Sequence, residues 1–89
     1  MSPVQKRRGE VRKIVGVRLR QMRERLNYTQ EGVAKDLSLA HSTISSYESG
    51  TRAMSVDRLA DFAAYYGVPL SYLFLPLQTE GVGKDARRR

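Results

Sequence analysis

The sequence of 89 residues contains no cysteine, a single histidine and three prolines. Without thiols it can form neither a disulfide framework nor a cysteine-based zinc site, and it suits a reducing interior. His41 has no partner residues arranged around it, so neither a metal site nor a histidine-based catalytic centre can be assembled. A Gly-x-Ser-x-Gly elbow for a serine nucleophile is also missing. Gly81-Val82-Gly83-Lys84 is too sparse for a phosphate loop. Asp57 and Asp61, at i and i+4, read as a solvated helix face rather than as catalytic carboxylates. Long apolar runs are absent too. Val68 to Leu77 is broken by Pro69, Ser71 and Pro76, and the charged N-terminal region lacks the apolar block of a signal peptide. No stretch alternates polar and apolar residues over a strand's length. What remains is one small all-α domain with a modest core, expected in the cytoplasm, with no metal, cofactor or catalytic residues.

Charge is what the sequence has in excess, and it is unevenly placed. Residues 1–25 hold nine Lys or Arg against Glu10 and Glu24, a balance of +7. Residues 26–89 hold seven of each sign and balance to zero. Such asymmetry points to a polyanionic partner, nucleic acid before an anionic membrane surface.

Apolar periodicity predicts five short helices. Val11, Val15, Leu19, Met22 and Leu26 stripe a first helix over about 10–26. Thr29 caps a second, with Glu31 in its first turn and Val33, Ala34 and Leu37 facing inward. A third runs from about Ala40 to Ser49, anchored by Ile44 and Tyr47 and ended by Gly50. Ser55 opens a fourth, striped by Val56, Leu59, Phe62, Ala63 and Tyr66 and stopped by Gly67. Pro69 suits the start of a fifth, whose Leu70, Leu73 and Phe74 can close the core. Residues 1–9 read as a flexible basic N-terminal arm, residues 10–75 as the folded domain and residues 76–89 as a flexible tail.

Residues 40–52, AHSTISSYESGTR, stand out in so basic a chain. They carry hydroxyls, one acid and no cation before Arg52. Only Ser38-Leu39 separates the second and third helices, a spacing that allows a helix-turn-helix whose second helix enters a major groove. Base edges are read by compact donors, acceptors and methyl groups at close range. Ala40, His41, Ser42, Ser45 and Ser46 supply these opposite Ile44. Phosphate affinity can be placed elsewhere, on the first helix, the arm and Arg52.

The stretch RLRQMRERLNYTQEGVAKDLSLAHSTISSYESGTRAMSVDRLADFAAYYGVPLSYLF resembles the Cro/cI-type (XRE) helix-turn-helix family. The matching features are LRQMRE, TQ at the start of the second helix, Ala34, the S-T-I-S run, Y-E-S-G and Y-G-V-P, over about residues 15–75. The segment SYESGTRAMSVDRLADFAAYYGVP is similar to BldD-type DNA-binding domains in particular. The resemblance implies a compact five-helix, lambda-repressor-like domain that binds double-stranded DNA. It further implies a bacterial or phage transcriptional regulator, a repressor bound as a homodimer to an inverted repeat. By position, it implies that His41, Ser42 and Ser46 face bases, with Ala40 and Ser45 at the edge. It implies phosphate contacts for Gln30, Thr43, Thr51 and Arg52, to which the arm adds Lys6, Arg7 and Arg8. It also implies a structural ion pair of Arg23 with Glu48. Two departures are expected to show: Ser38 stands where the family often has a glycine with φ > 0, and Ala40 where a capping Ser or Thr is usual.

Two expectations stay open at this level. Tyr72, Leu75 and Leu77 exceed what the fifth helix needs for the core and are expected to form a two-fold dimer contact. A protein-interaction module of the antitoxin or co-activator kind could use the same helices, and the basic N-terminal quarter alone would suit RNA or an anionic membrane.

Overall fold

The computed structural model describes residues 1–75. Four α-helices follow one another: α1 (Pro3–Arg25), α2 (Gln30–Asp36), α3 (His41–Ser49) and α4 (Val56–Tyr66). The fifth element is a 3-10 helix, Leu70–Phe74, rather than an α-helix. The reason is local. Pro69 opens it and Leu75, which precedes Pro76, is held extended at φ −70° and ψ 127°. Too few residues remain between the prolines for α-helical hydrogen bonds to accumulate. No strand occurs among the described residues, and none of their helices is long and apolar enough to cross a membrane.

Helix α1 begins at Pro3, not at Glu10, so the segment read from sequence as a flexible basic arm is helical over residues 3–9. Ser2 Oγ accepts from the Gln5 amide at 3.2 Å, and Gln5 Oε1 accepts from the Ser2 amide at 3.2 Å. This reciprocal cap, with Pro3 in the first helical position, offsets the cost of about 1 kcal/mol that Gly9 imposes.

All four α-helices stop in the same way. Asn27, Ser38, Gly50 and Gly67 each adopt a positive φ, of 60°, 57°, 76° and 70°. The residue after each one donates its amide back to a carbonyl five positions earlier: Tyr28 to Arg23, Leu39 to Ala34, Thr51 to Ser46 and Val68 to Ala63. This bond satisfies carbonyls that a helix end leaves orphaned. Only two of the four stops use glycine. The left-handed conformation of Ser38 agrees with the sequence expectation, and it costs about 1 kcal/mol that the turn between α2 and α3 must repay.

The core consists of Val15, Leu19, Met22, Val33, Ala34, Ile44, Tyr47, Leu59, Phe62, Ala63 and Leu73. Tyr47 meets Phe62 edge-on at 5.8 Å between ring centroids. The ends of the predicted stripes fall outside this core. Val56, the first residue of α4, is 69% exposed, and Leu26 lies beyond the last turn of α1, also exposed. Leu73 is fully buried, whereas Leu70 and Phe74 are exposed rather than closing the core.

Helices α1 and α3 approach closely because of Gly16. A β-carbon there would lie 2.6 Å from the carbonyl oxygens of both Tyr47 and Glu48. Farther along α1, Arg18 is buried with its guanidinium 4.5 Å over the Tyr72 ring. The same guanidinium donates to the Leu75 carbonyl at 2.8 Å. Tyr72, expected to be exposed, is half-buried by this clamp, which ties the 3-10 helix to α1.

Candidate nucleic-acid interface

Helix α3 has two chemically distinct sides. Ile44, Tyr47 and Glu48 are buried. His41, Ser42 and Ser45 are exposed and Ser46 is half-buried on the other side, with Ala40 exposed just before the helix. Ala40 occupies the N-cap position and makes no side-chain cap bond, as its residue type dictates. Ser49, which sequence reasoning passed over, lies seven residues from Ser42 and shares its face. Its hydroxyl is committed to the helix end, donating to the Ser46 carbonyl at 3.1 Å and pairing with Thr51 Oγ1 at 2.9 Å. Thr51 Oγ1 also lies 3.3 Å from the Ser46 carbonyl, an alternative acceptor to Ser49 Oγ for its one hydrogen. The Thr51-Arg52 loop is exposed beside the end of α3, and Thr43 is half-buried on its flank.

A hydrogen-bonded relay fixes α3 against the rest of the molecule. Arg23 of α1 grips the Glu48 carboxylate with two nitrogens, Nε to Oε2 at 2.7 Å and an Nη to Oε1 at 3.1 Å. The other Arg23 Nη donates to the Tyr28 carbonyl at 2.8 Å. Both side chains are withdrawn from solvent, 12% and 5% exposed. The bidentate hydrogen bonds to Glu48 hold the Arg23 guanidinium even above its usual pKa. The ion pair expected from the resemblance is therefore present and partly buried. Gln30, at the start of α2, extends it. Its Nε2 donates to Glu48 Oε1 at 3.0 Å, and its Oε1 lies 2.9 Å from His41 Nε2. Three helices thus meet through four side chains, and the chain of bonds ends on the outward face of α3. The resemblance implied the pairing of Arg23 with Glu48 but gave Gln30 a phosphate contact only. No periodic signal links residues 30, 41 and 48.

The cations of the first quarter are not all alike. Lys6, Arg7 and Arg8 are exposed on the first turns of α1, and Arg7 makes a 3.6 Å surface pair with Glu10. Arg20 is likewise engaged with Glu24 at 3.0 Å. Of the residues expected at a dimer contact, Tyr72 is half-buried and Leu75 is 50% exposed. Leu77 lies outside the described residues.

The order of these elements and the turn between α2 and α3 are matched by the helix-turn-helix family model over residues 19–73. An uncharacterized transcriptional regulator in the ATPase CF(0) region of Rhodospirillum rubrum is 38% identical over 64 residues, covering 72% of this chain and 59% of the relative. The chain thus spans somewhat over half the length of that curated relative. The structure of the S. venezulae BldD DNA-binding domain superposes with a TM-score of 0.67 at 35% identity, covering 74% of this chain and 99% of that one. A hypothetical transcription factor from Neisseria shares the fold, with a TM-score of 0.69 at 24% identity over 74% of this chain and 76% of the other. A matched span that holds α2, its turn, α3 and the Arg23–Glu48 brace shows that this chain belongs to the XRE-type helix-turn-helix family.

Proposed function

We propose that the chain is a sequence-specific double-stranded DNA-binding transcriptional regulator, with α3 lying in the major groove. The observation that carries this reading is the outward face of α3. Short polar side chains, His41, Ser42, Ser45 and Ser46, project from a helix braced by Arg23, Glu48 and Gln30. Side chains of that size meet base edges at hydrogen-bond range only when their helix is held at a fixed depth and angle. The relatives named above support it, one as a transcriptional regulator and one as a DNA-binding domain.

Phosphate contacts fall to groups around that face. Gln30 retains one amide hydrogen beyond its bond to Glu48, and Thr43, Thr51 and Arg52 border α3. Lys6 adds charge from the side of α1 opposite Arg8, since two helical residues are 200° apart. The mode of action that follows is repression by a homodimer on an inverted repeat, with two copies of α3 about 34 Å apart. No catalytic step is assigned to the chain.

Selection of bound sequences from random duplex DNA at physiological salt tests the reading. The expected outcome is an enriched motif with two-fold symmetry, altered in preference by Ser42→Ala with Ser46→Ala. Enrichment of no motif at all would remove sequence-specific binding. A motif unchanged by the double substitution would remove this face of α3 as the reader.

A further inference from the structure

The core-facing stripe of α1 continues past the end of the core. Val4, Val11 and Val15 recur at steps of seven and four along one side of the helix. Val15 is buried and Val11 packs half-buried against the core, but Val4 is 61% exposed. No residue from Pro3 to Arg8 is buried. A two-turn overhang gains little from helix propensity alone, and Gly9 weakens this one further. The chain nevertheless specifies it, with the reciprocal Ser2–Gln5 cap and Pro3 at the first position.

Under the overhang lies an open groove of about 590 Å³. Pro3, Val4, Val11 and Ala53 give it apolar walls, and Arg7, Arg8 and Arg12 surround them. Among the described residues no Asp or Glu lines it. Arg8 and Arg12 stand one turn apart, a spacing at which like charges repel. Among the described residues neither has an acidic partner. Apolar walls with a cationic rim, on which Arg7 is paired with Glu10 but Arg8 and Arg12 have no acidic partner among the described residues, are the complement of one kind of surface. We propose that this groove docks an acidic amphipathic helix of another protein, its apolar face toward Val4 and Val11 and its carboxylates toward Arg8 and Arg12.

The alternatives fit less well. Duplex phosphates would satisfy the arginines but leave the apolar walls without a partner. A second copy would bring the same three arginines against their own kind. The segment 76–89 carries Lys84, Arg87, Arg88 and Arg89 against Glu80 and Asp85, a surplus of positive charge. The inference rests on α1 and Ala53, not on α3, and so stands apart from the DNA-binding reading.

The test is a titration of the isotope-labelled full chain, followed by amide chemical shifts. The probe is a synthetic helical peptide of about fourteen residues, long enough to span roughly 20 Å, with leucines on one face and glutamates flanking them. A matched peptide with lysines for the glutamates is the control. Saturable shifts at Val4, Arg8, Val11 and Ala53 are expected with the acidic peptide alone. Val4→Asp should weaken that binding about tenfold or more without changing the melting temperature, because Val4 is exposed. Equal shifts at Lys13 and Arg20, equal binding of the lysine peptide, or indifference to Val4→Asp would each overturn the proposal. So would protection of these residues by duplex DNA, a dimer dissolved by Val4→Asp, or peptide binding that appears only after removal of residues 76–89.

Discussion

Gln30 and His41 are joined in one orientation only. Gln30 touches the Glu48 carboxylate at 3.0 Å and His41 Nε2 at 2.9 Å. A carboxylate only accepts hydrogen bonds, so the Gln30 amide must turn its Nε2 toward Glu48 and its Oε1 toward His41. His41 must then carry a hydrogen on Nε2. In the neutral imidazole Nδ1 is left as an acceptor on the outward face of α3. A salt bridge between α1 and α3 thereby sets the hydrogen-bonding character of a side chain at the proposed DNA surface.

That arrangement makes Gln30 a positioning residue for His41. Gln30→Leu is expected to relax sequence preference at the one base pair that faces His41, a pair presenting an exocyclic amine to Nδ1. Discrimination of about 1–3 kcal/mol is at stake at that position. The check is comparison of motifs selected by wild type, Gln30→Leu, His41→Ala and the double variant. Coupled, non-additive losses at one position support the relay. A uniform loss of affinity over all sequences would reduce Gln30 to a phosphate contact.

Arg23→Leu should destabilise the fold by about 3 kcal/mol, because it leaves the buried Glu48 carboxylate without its cation. Replacing Glu48 by Leu as well should cost much less than the two single losses added together. Urea unfolding of the four proteins measures the coupling. Additive losses would mean that the pair contributes little.

One substitution at two glycines should have opposite signs. Gly16→Ala forces a β-carbon within 2.6 Å of two α3 carbonyl oxygens, and backbone cannot yield as a flexible side chain does. A loss of about 1–3 kcal/mol is expected, together with weakened DNA binding as α3 shifts. At Gly9 nothing lies within 4 Å of the added carbon. Gly9→Ala should therefore stabilise α1 by about 0.5–1 kcal/mol and raise helicity by circular dichroism. Loss of stability in both variants would contradict this account of the overhang.

Alkaline pH should loosen the side of the domain where α4 meets α2. Burial, and then a 2.6 Å hydrogen bond to Asp36, push the Tyr65 hydroxyl up to about 12. Burial also raises Tyr66. A raised acid keeps its proton longer in the folded chain than in the unfolded one. The Tyr65 contribution is fully present below pH 10 and is lost as pH climbs through about 12, and that of Tyr66 persists to higher pH. Melting temperature should fall over that window in wild type and fall less in Tyr65→Phe. An unchanged slope in the variant would remove Tyr65 from the explanation.

The helix ends show how much of the architecture is written locally. Thr29 and Ser55 cap α2 and α4 as their residue types predict, and Gly50 and Gly67 end α3 and α4. Ser38 takes the positive φ that the resemblance implied. The start of α1 was equally local, in the spacing of Ser2, Pro3 and Gln5, but a glycine and a run of cations obscured it. The outward side of α3 could also be read, since burying Ile44 and Tyr47 leaves Ser42 and Ser45 facing away.

By itself, then, the sequence determined the helices, their stops, the turn between α2 and α3 and the small polar face that follows it. Each depends on backbone bonds and side-chain periods within about five residues. Only the tertiary structure decided that Gln30 joins Glu48 to His41, that Arg18 stacks on the Tyr72 ring, and that the first turns of α1 extend past the core. Those relations depend on how helices cross and how closely Gly16 lets two of them approach, and crossing geometry leaves no period in the chain.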